Sequence, residues 1–352
     1  GARRDAGFTI FYMGINLGAF IGPLIAGFLA EQYGWRWGFL AAAVAIPVGT
    51  LQFWLSRERL AGAGAAPIRS DGGSGLAGDW RKLGIGLAVV LLGLGLCLTG
   101  VIPVDPASLA KRAAWVLVSM AAGYFIYLFF FAGLEPVERR RVVVLLSMFV
   151  ACALFWAGYE QGGSSLNLFA KRFVDRTIGG FEIPAGWLQS VPPLFVIVFA
   201  PLFSMLWVAL ARRMLDPTVP VKFGLALILM GCGFLFMVHA ASIVAAGFES
   251  PVHWLVLTYM IHVFGELCLS PVGLSTVTKL APARFVGQMM GVWFLASSLG
   301  KLLAGLIAGT FDAGDVAAMP ARFMGITWYG VIVGVILLLL AKPLTRLMGG
   351  VR

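Results

Sequence analysis

Ten apolar runs, each about 20 residues or longer, set the limits on what this 352-residue chain can become. A run of that length crosses a hydrocarbon core of about 30 Å as a helix. In that medium the backbone must satisfy its own hydrogen bonds, which predicts helices. The ten-residue alternation of a membrane β-barrel is not visible. The runs fall at roughly 8–30, 36–56, 83–102, 113–133, 142–170, 185–211, 221–247, 252–280, 285–311 and 323–348. Charged residues make up 12% of the chain. A soluble protein carries about 25%, so there is too little charge to coat a water-facing surface. That argues against a soluble enzyme, a disordered tail and a nucleic-acid module. The expected class is an all-α polytopic membrane protein.

An even number of spans puts both ends on one side. Of the 26 Lys and Arg residues, eighteen fall in loops on the side of the two ends, seven on the other side, and Lys301 inside a span. This bias predicts cytoplasmic ends and gives the net charge of +10 a topological meaning. The segment 57–82 (RERLAGAGAAPIRSDGGSGLAGDWRK) is rich in Gly, Ala and Ser and reads as a flexible linker. The pair of runs at 83–133 has no carboxylate within its apolar stretches and suits lipid-facing helices. Cys97, Cys152, Cys232 and Cys268 all lie in apolar runs without metal-ligand spacing, so they read as packing residues and no metal site is expected. Gly7, Gly14, Gly18 and Gly22 recur at helical spacing on the first run, a stripe expected to pack closely against another helix. No cleavable signal peptide is visible, and the chain opens on Gly1 rather than Met, so a missing beginning is expected.

Ionisable groups at membrane depth cost about 2.5–3.5 kcal/mol on insertion scales and default to functional candidates. Three stand out: Glu160, Glu266 and Lys301. Glu160 lies four residues after Trp156 and is followed by Gln161, Ser164, Ser165 and Asn167, a stretch too polar to face lipid. Its alternatives are a wet pathway or a static helix–helix bond. Glu266 has His262 and Ser270 one turn to either side, and Pro271 interrupts the backbone ladder there. Interrupted helices at the midplane are where transporters place binding sites. Counted from a turn near Arg284, Glu266 and Lys301 lie at similar depth, roughly 26 Å along their helices at 1.5 Å per residue. A bond between them and a snorkelling lysine are both open. Asn16, one turn after Tyr12, serves either packing or a substrate. The HExxH, GxSxG and Walker-A patterns are absent, which argues against hydrolysis and ATP-driven work and favours ion or proton coupling.

Four stretches carry a resemblance: RRDAGFTIFYMGINLGAFIGPLIAG at 3–27, FWAGYEQGGSSL at 155–166, GELCLSPVGLS at 265–275 and GVWFLASSLGKLLAG at 291–305. Together they resemble the proton-dependent oligopeptide transporter family (POT/PTR2) of the major facilitator superfamily. The resemblance implies a major facilitator fold with about ten of an expected fourteen transmembrane helices, an N-terminally truncated bacterial member. Residues 1–56 would be the last two helices of the N-terminal bundle, 57–82 a cytoplasmic linker, 83–133 two inserted helices and 134–352 the C-terminal six-helix bundle. The absent helices would hold the family's E-x-x-E-R motif, a lysine and an arginine partner for Glu160. It implies proton-coupled symport of di- and tripeptides by alternating access, not an enzyme, with no cofactor but the proton gradient. The partners implied are small peptides, protons and the lipid bilayer, with no nucleic acid; a monomer is expected in the bacterial inner membrane, both ends cytoplasmic. By residue, Glu160 would be the proton-coupling acid. Glu266 would hold the peptide amine and Asn16 its backbone, with Trp156, Trp293, Ser270, Gln161 and Tyr12 lining the substrate site. Two departures stand out. Gln189-Ser190-Val191-Pro192-Pro193 replaces a QSxNP pattern, and Lys301 stands where many members carry Asn, close enough in depth to neutralise Glu266 or alter selectivity. Another small anion or a modified peptide as cargo, or an inactive truncated scaffold, are the alternatives.

Overall fold

The computed structural model describes residues 2–60, 76–101, 105–311 and 314–350. Within these, the side chains of residues 2–12, 60, 76–79, 82, 98, 106 and 107 stand outside the description. The helices are α1 (Ala2–Gln32), α2 (Trp35–Ser56), α3 (Leu76–Leu98), α4 (Pro106–Phe130), α5 (Pro136–Tyr159), α6 (Ser165–Phe173), α7 (Val191–Arg212), α8 (Val219–Ala245), α9 (His253–Leu280), α10 (Val286–Ala308) and α11 (Met319–Leu347). Among the described residues, nine helical segments are long and apolar enough to cross a membrane, and Leu83–Cys97 is a shorter apolar helix. The architecture is that of an all-helical, multi-pass membrane protein.

Two compact units divide the chain: residues 1–41 with 114–352, and residues 42–113. In the smaller unit the described side chains are largely exposed and apolar, including Ile46, Phe53, Val89 and Leu92. The larger unit holds the core. There α8 packs against α9 and α11, and α5 against α10. Lipid tails are as apolar as leucine, so helix association in a membrane rests on close packing and small residues. A Cβ added at Gly334 would lie 2.7 Å from the Gly224 carbonyl oxygen, and one at Gly300 would lie 2.6 Å from that of Ala153. Phe155, Phe223, Phe234 and Phe323 fill the space between these seams.

The glycine stripe of α1 behaves otherwise. Added Cβ atoms at Gly14, Gly18 and Gly22 would meet nothing within 4 Å among the described residues, so the packed face of α1 lies elsewhere. Asn16, Phe20, Leu24, Gly27 and Glu31 recur at helical spacing. Ser190 Oγ donates to the Phe20 carbonyl at 2.6 Å, and Trp187 Nε1 to that of Leu24 at 2.9 Å. Glu31 Oε1 accepts the Ala185 N–H at 3.1 Å. These partners belong to a tight helical turn, Ala185–Ser190, that opens α7.

The run expected as one helix over 142–170 is broken. After α5 the chain makes a 3-10 turn, Glu160–Gly163, then starts again as α6. Conversely, α9 runs unbroken through Pro271. Beyond α6, β1 (Val174–Asp175) pairs in parallel with β4 (Ser250–Pro251), and β2 (Thr177–Ile178) forms a hairpin with β3 (Phe181–Glu182). Gly179 and Gly180 turn that hairpin at φ +61° and +82°, which a side chain would strain.

The α5–α10 seam yields a stability prediction. Gly300→Ala, which drives a methyl group into the Ala153 carbonyl, is expected to cost about 1–3 kcal/mol. Thermal unfolding in detergent should show a lowered midpoint, while Gly305→Ala, whose added Cβ meets nothing within 4 Å among the described residues, should not lower it.

Candidate functional site

The break in α5 builds the site. Gly162 and Gly163 follow Gln161 directly and weaken any continued helix. The backbone N–H of Glu160 bonds to the carbonyls of Trp156 and Gly158, and that of Ser164 to Gln161. Ser164 Oγ donates to the Glu160 carbonyl at 3.3 Å, which ties off one of the carbonyls released where the helix stops.

Successive helical side chains point about 100° apart. At the last turn of α5 that rotation separates Tyr159 from Glu160. Tyr159 turns to α9, where its hydroxyl donates to Glu266 Oε2 at 2.5 Å. Glu160 turns to α10, where its Oε1 lies 3.3 Å from Lys301 Nζ. Trp156, one turn earlier, connects the two: its ring is 5.1 Å from that of Tyr159 at 72°, and Lys301 Nζ is 5.7 Å from its centroid. Both candidate acids and the intramembrane lysine thus meet at one helix end, two aromatic rings apart. Depth allowed Lys301 to pair with Glu266; the structure gives it to Glu160, because depth along a helix does not fix rotation about it. Tyr159, the link to Glu266, was not among the residues singled out from sequence. Its position beside Glu160 and three residues after Trp156 is the signal that could have found it.

The other candidates scatter. Gln161 is fully buried, and its amide stitches the break shut. Nε2 donates to the Ala157 and Ala304 carbonyls, each at 3.1 Å, and Oε1 accepts from the Ser165 hydroxyl. Trp293 is buried with its ring over Gly273, where an added Cβ would lie 2.1 Å away, and beside Phe223. Ser270, one turn beyond Glu266, has a buried hydroxyl without a hydrogen-bond partner among the described residues. Asn16 is buried in α1. Tyr12 lies in α1, but its side chain is outside the described residues. His262 is buried, its ring 4.7 Å from Phe234 and 6.1 Å from Tyr159. Pro192 sits at the start of α7, where the missing N–H costs no helical bond.

Residues 1–63 and 107–329 match the POT family (PTR2). The chain belongs to that family. It is 41% identical over 360 residues to the peptide transporter YePEPT of Yersinia enterocolitica, covering 99% of this chain and 69% of that protein. A di-/tripeptide transporter of Lactococcus lactis subsp. cremoris is 34% identical over 361 residues, covering all of this chain and 71% of the relative. Among solved structures, a peptide transporter POT in complex with sulfate superposes with a TM-score of 0.87 at 34% identity, over 99% of this chain and 70% of that one. The fold of this POT member is therefore that of solved POT transporters.

Gln161 offers a direct test of the break. Gln161→Ala removes the buried hydrogen bonds to the Ala304 carbonyl and from the Ser165 hydroxyl, at about 0.5–1.5 kcal/mol each. A lower unfolding midpoint with unchanged helical circular dichroism is expected; an unchanged midpoint would show that the amide holds nothing.

Proposed function

We propose that this chain serves proton-coupled symport of di- and tripeptides, with the broken end of α5 as the coupling centre. The observation that carries this reading is the convergence of Glu160, Lys301, Trp156, Tyr159 and Glu266 at that end. A short peptide is a zwitterion with a polar backbone. It needs a carboxylate for its amine, a cation for its carboxylate and apolar walls that tolerate many side chains. Glu266 offers the first and Trp156 part of the third. Asn16 is the candidate for the peptide backbone. The relatives' activities, peptide transport and di-/tripeptide transport, point the same way.

Glu160 is the proposed proton acceptor. An acid held by a salt bridge is charged while the bridge stands, and moving its partner away makes the neutral form favourable. Protonation thereby becomes tied to conformation, the requirement for coupling in a carrier that alternates access around a midplane site. In this reading the protein works as a monomer in the bacterial inner membrane with both ends cytoplasmic, and uses the proton gradient and no cofactor. Residues 1–56 then belong to the N-terminal bundle, 57–82 to a cytoplasmic linker, 83–133 to an inserted helix pair and 134–352 to the C-terminal bundle.

Glu160→Gln is expected to abolish proton-driven accumulation of labelled dialanine in proteoliposomes while leaving dialanine counterflow largely intact. Uphill accumulation at the native rate would overturn the coupling role. Glu266→Gln should instead raise the KM for dialanine about tenfold, as loss of one charge-assisted hydrogen bond to the amine implies.

A further inference from the structure

Cations gather where α5 begins and α11 ends. Arg139, Arg140 and Arg141 follow one another near the start of α5, and Lys342 and Arg346 stand exposed in the last turns of α11. Among the described residues, none of them pairs with a carboxylate. The acids in the same stretch are Glu135 and Glu138. Glu138 Oε2 turns to the helix start, where it accepts the Glu135 N–H at 3.1 Å. The patch is left with positive charge that no side chain answers.

A loop that only marks topology needs charge and nothing more. These arginines are set into a cleft. It is lined by Leu134, Pro136, Arg139, Arg140, Val143 and Leu347, so two guanidinium groups stand beside aliphatic walls from α5, α11 and the corner before α5. Arg139 is held in place: its Nη2 donates to the Phe129 carbonyl, at the end of α4, at 2.7 Å. A guanidinium has five N–H donors, so most of its own remain for another acceptor. Arg141 reaches toward the end of α11. A Cβ added at Gly349 would lie 3.8 Å from its Nη2, and its buried Nε has no hydrogen-bond partner among the described residues.

Position decides the kind of anion. The apolar segments that contain α5 and α11 run over Pro136–Phe173 and Val316–Leu347, so the cleft sits where both reach the edge of the hydrocarbon. In the topology proposed above, that edge is cytoplasmic. Exposed apolar surface continues from the arginines into the span. Val143 and Val150 lie about two turns apart on one face of α5, and Leu340 lies about two turns before Leu347 on α11. A soluble anion would meet only the charges. A phospholipid meets both the charges and the aliphatic surface.

We propose that the cleft between the start of α5 and the end of α11 binds an anionic phospholipid, its phosphate on Arg139 and Arg140 and its acyl chains against Val143 and Leu347. The planar fork of a guanidinium gives two parallel bonds to a phosphate. Basic pockets between membrane helices are where anionic headgroups lodge. The lipid joins three parts of the chain at once, because the corner at Leu134, α5 and α11 all supply walls. It is bound whatever the protein carries.

Titration of the purified protein in detergent with fluorescent phosphatidylglycerol, and with phosphatidylcholine as the counterpart of zero net charge, tests this. Phosphatidylglycerol should bind saturably and about tenfold tighter than phosphatidylcholine, the effect of more than one cation at the headgroup. Arg140→Gln should weaken phosphatidylglycerol binding about fivefold, the loss of one such cation, and Arg140→Lys should keep most of the affinity. Arg213→Gln removes the same charge from the end of α7, outside the lining of this cleft, and should change nothing. Equal affinities of the native protein for the two lipids would overturn the lipid site. Equal losses in Arg140→Gln and Arg213→Gln would overturn it too, by making the effect one of overall surface charge. Displacement of bound phosphatidylglycerol by inorganic phosphate would overturn it in favour of a soluble-anion site.

Discussion

The interruption of α5 at Glu160–Gly163 is the constraint on which the rest of the site depends. A continuous helix could present Glu160 to α10, but it would bury the following carbonyls in its own ladder and leave Gln161 without its present role. The break releases backbone groups in a medium that cannot hydrate them. Local partners take them up: Ser164 returns to the Glu160 carbonyl and Gln161 Nε2 to that of Ala157, while the same amide ties the break to Ala304 on α10 and to the Ser165 hydroxyl. The polar run after Glu160 is thus divided by task. Gln161 and Ser165 hold the discontinuity, while Glu160 stays partly open beside Lys301.

Packing makes the arrangement rigid enough to matter. Gly300 lets α10 approach α5 until an added Cβ would also lie 2.6 Å from the Cβ of Trp156. The residue after that glycine is Lys301. Close backbone contact at one position therefore sets the reach of the ammonium at the next, and Trp156 and Glu160, one turn apart on α5, receive it. On the other flank, Gly265 brings α9 within 2.8 Å of the Ala226 carbonyl for an added Cβ, and the residue after it is Glu266. Each charged group that meets the end of α5 is placed by a small residue immediately before it.

Much of this was legible in the sequence. Hydropathy located the spans because burial in lipid depends on local composition, and the isolated charges at 160, 266 and 301 stood out against it. Rotation was not legible. Glu266 and Lys301 match in depth, yet Lys301 serves Glu160, since azimuth depends on how three helices pack. The interruption falls at Glu160–Gly163 rather than at Pro271. Pro271 removes one donor, but α9 continues past it, as membrane helices do when neighbours take up the freed carbonyl. The consecutive glycines at 162 and 163 carried the stronger signal. Trp293 and Gln161 are candidates whose residue type fits a pocket wall, while their burial is set by Gly273 and by the broken backbone.

The same distinction between residue type and neighbourhood explains Asn16. The conspicuous stripe on α1 is glycine, but Gly14, Gly18 and Gly22 face open space among the described residues. The stripe that packs is mixed: Phe20 and Leu24 lend second lone pairs of backbone carbonyls already used within the helix, Gly27 meets Gly186, and Glu31 accepts an N–H from the start of the next turn. Little in that set looks like an interface by composition. Its register is what identifies it, and extending the register one turn inward from Phe20 reaches Asn16. An amide at that position is buried because α1 is fastened along this face, by bonds that place its outer turns against Ala185–Ser190. The place of Asn16 along α1 is set by contacts made one to four turns away, and any backbone contact it offers a substrate starts from that seam.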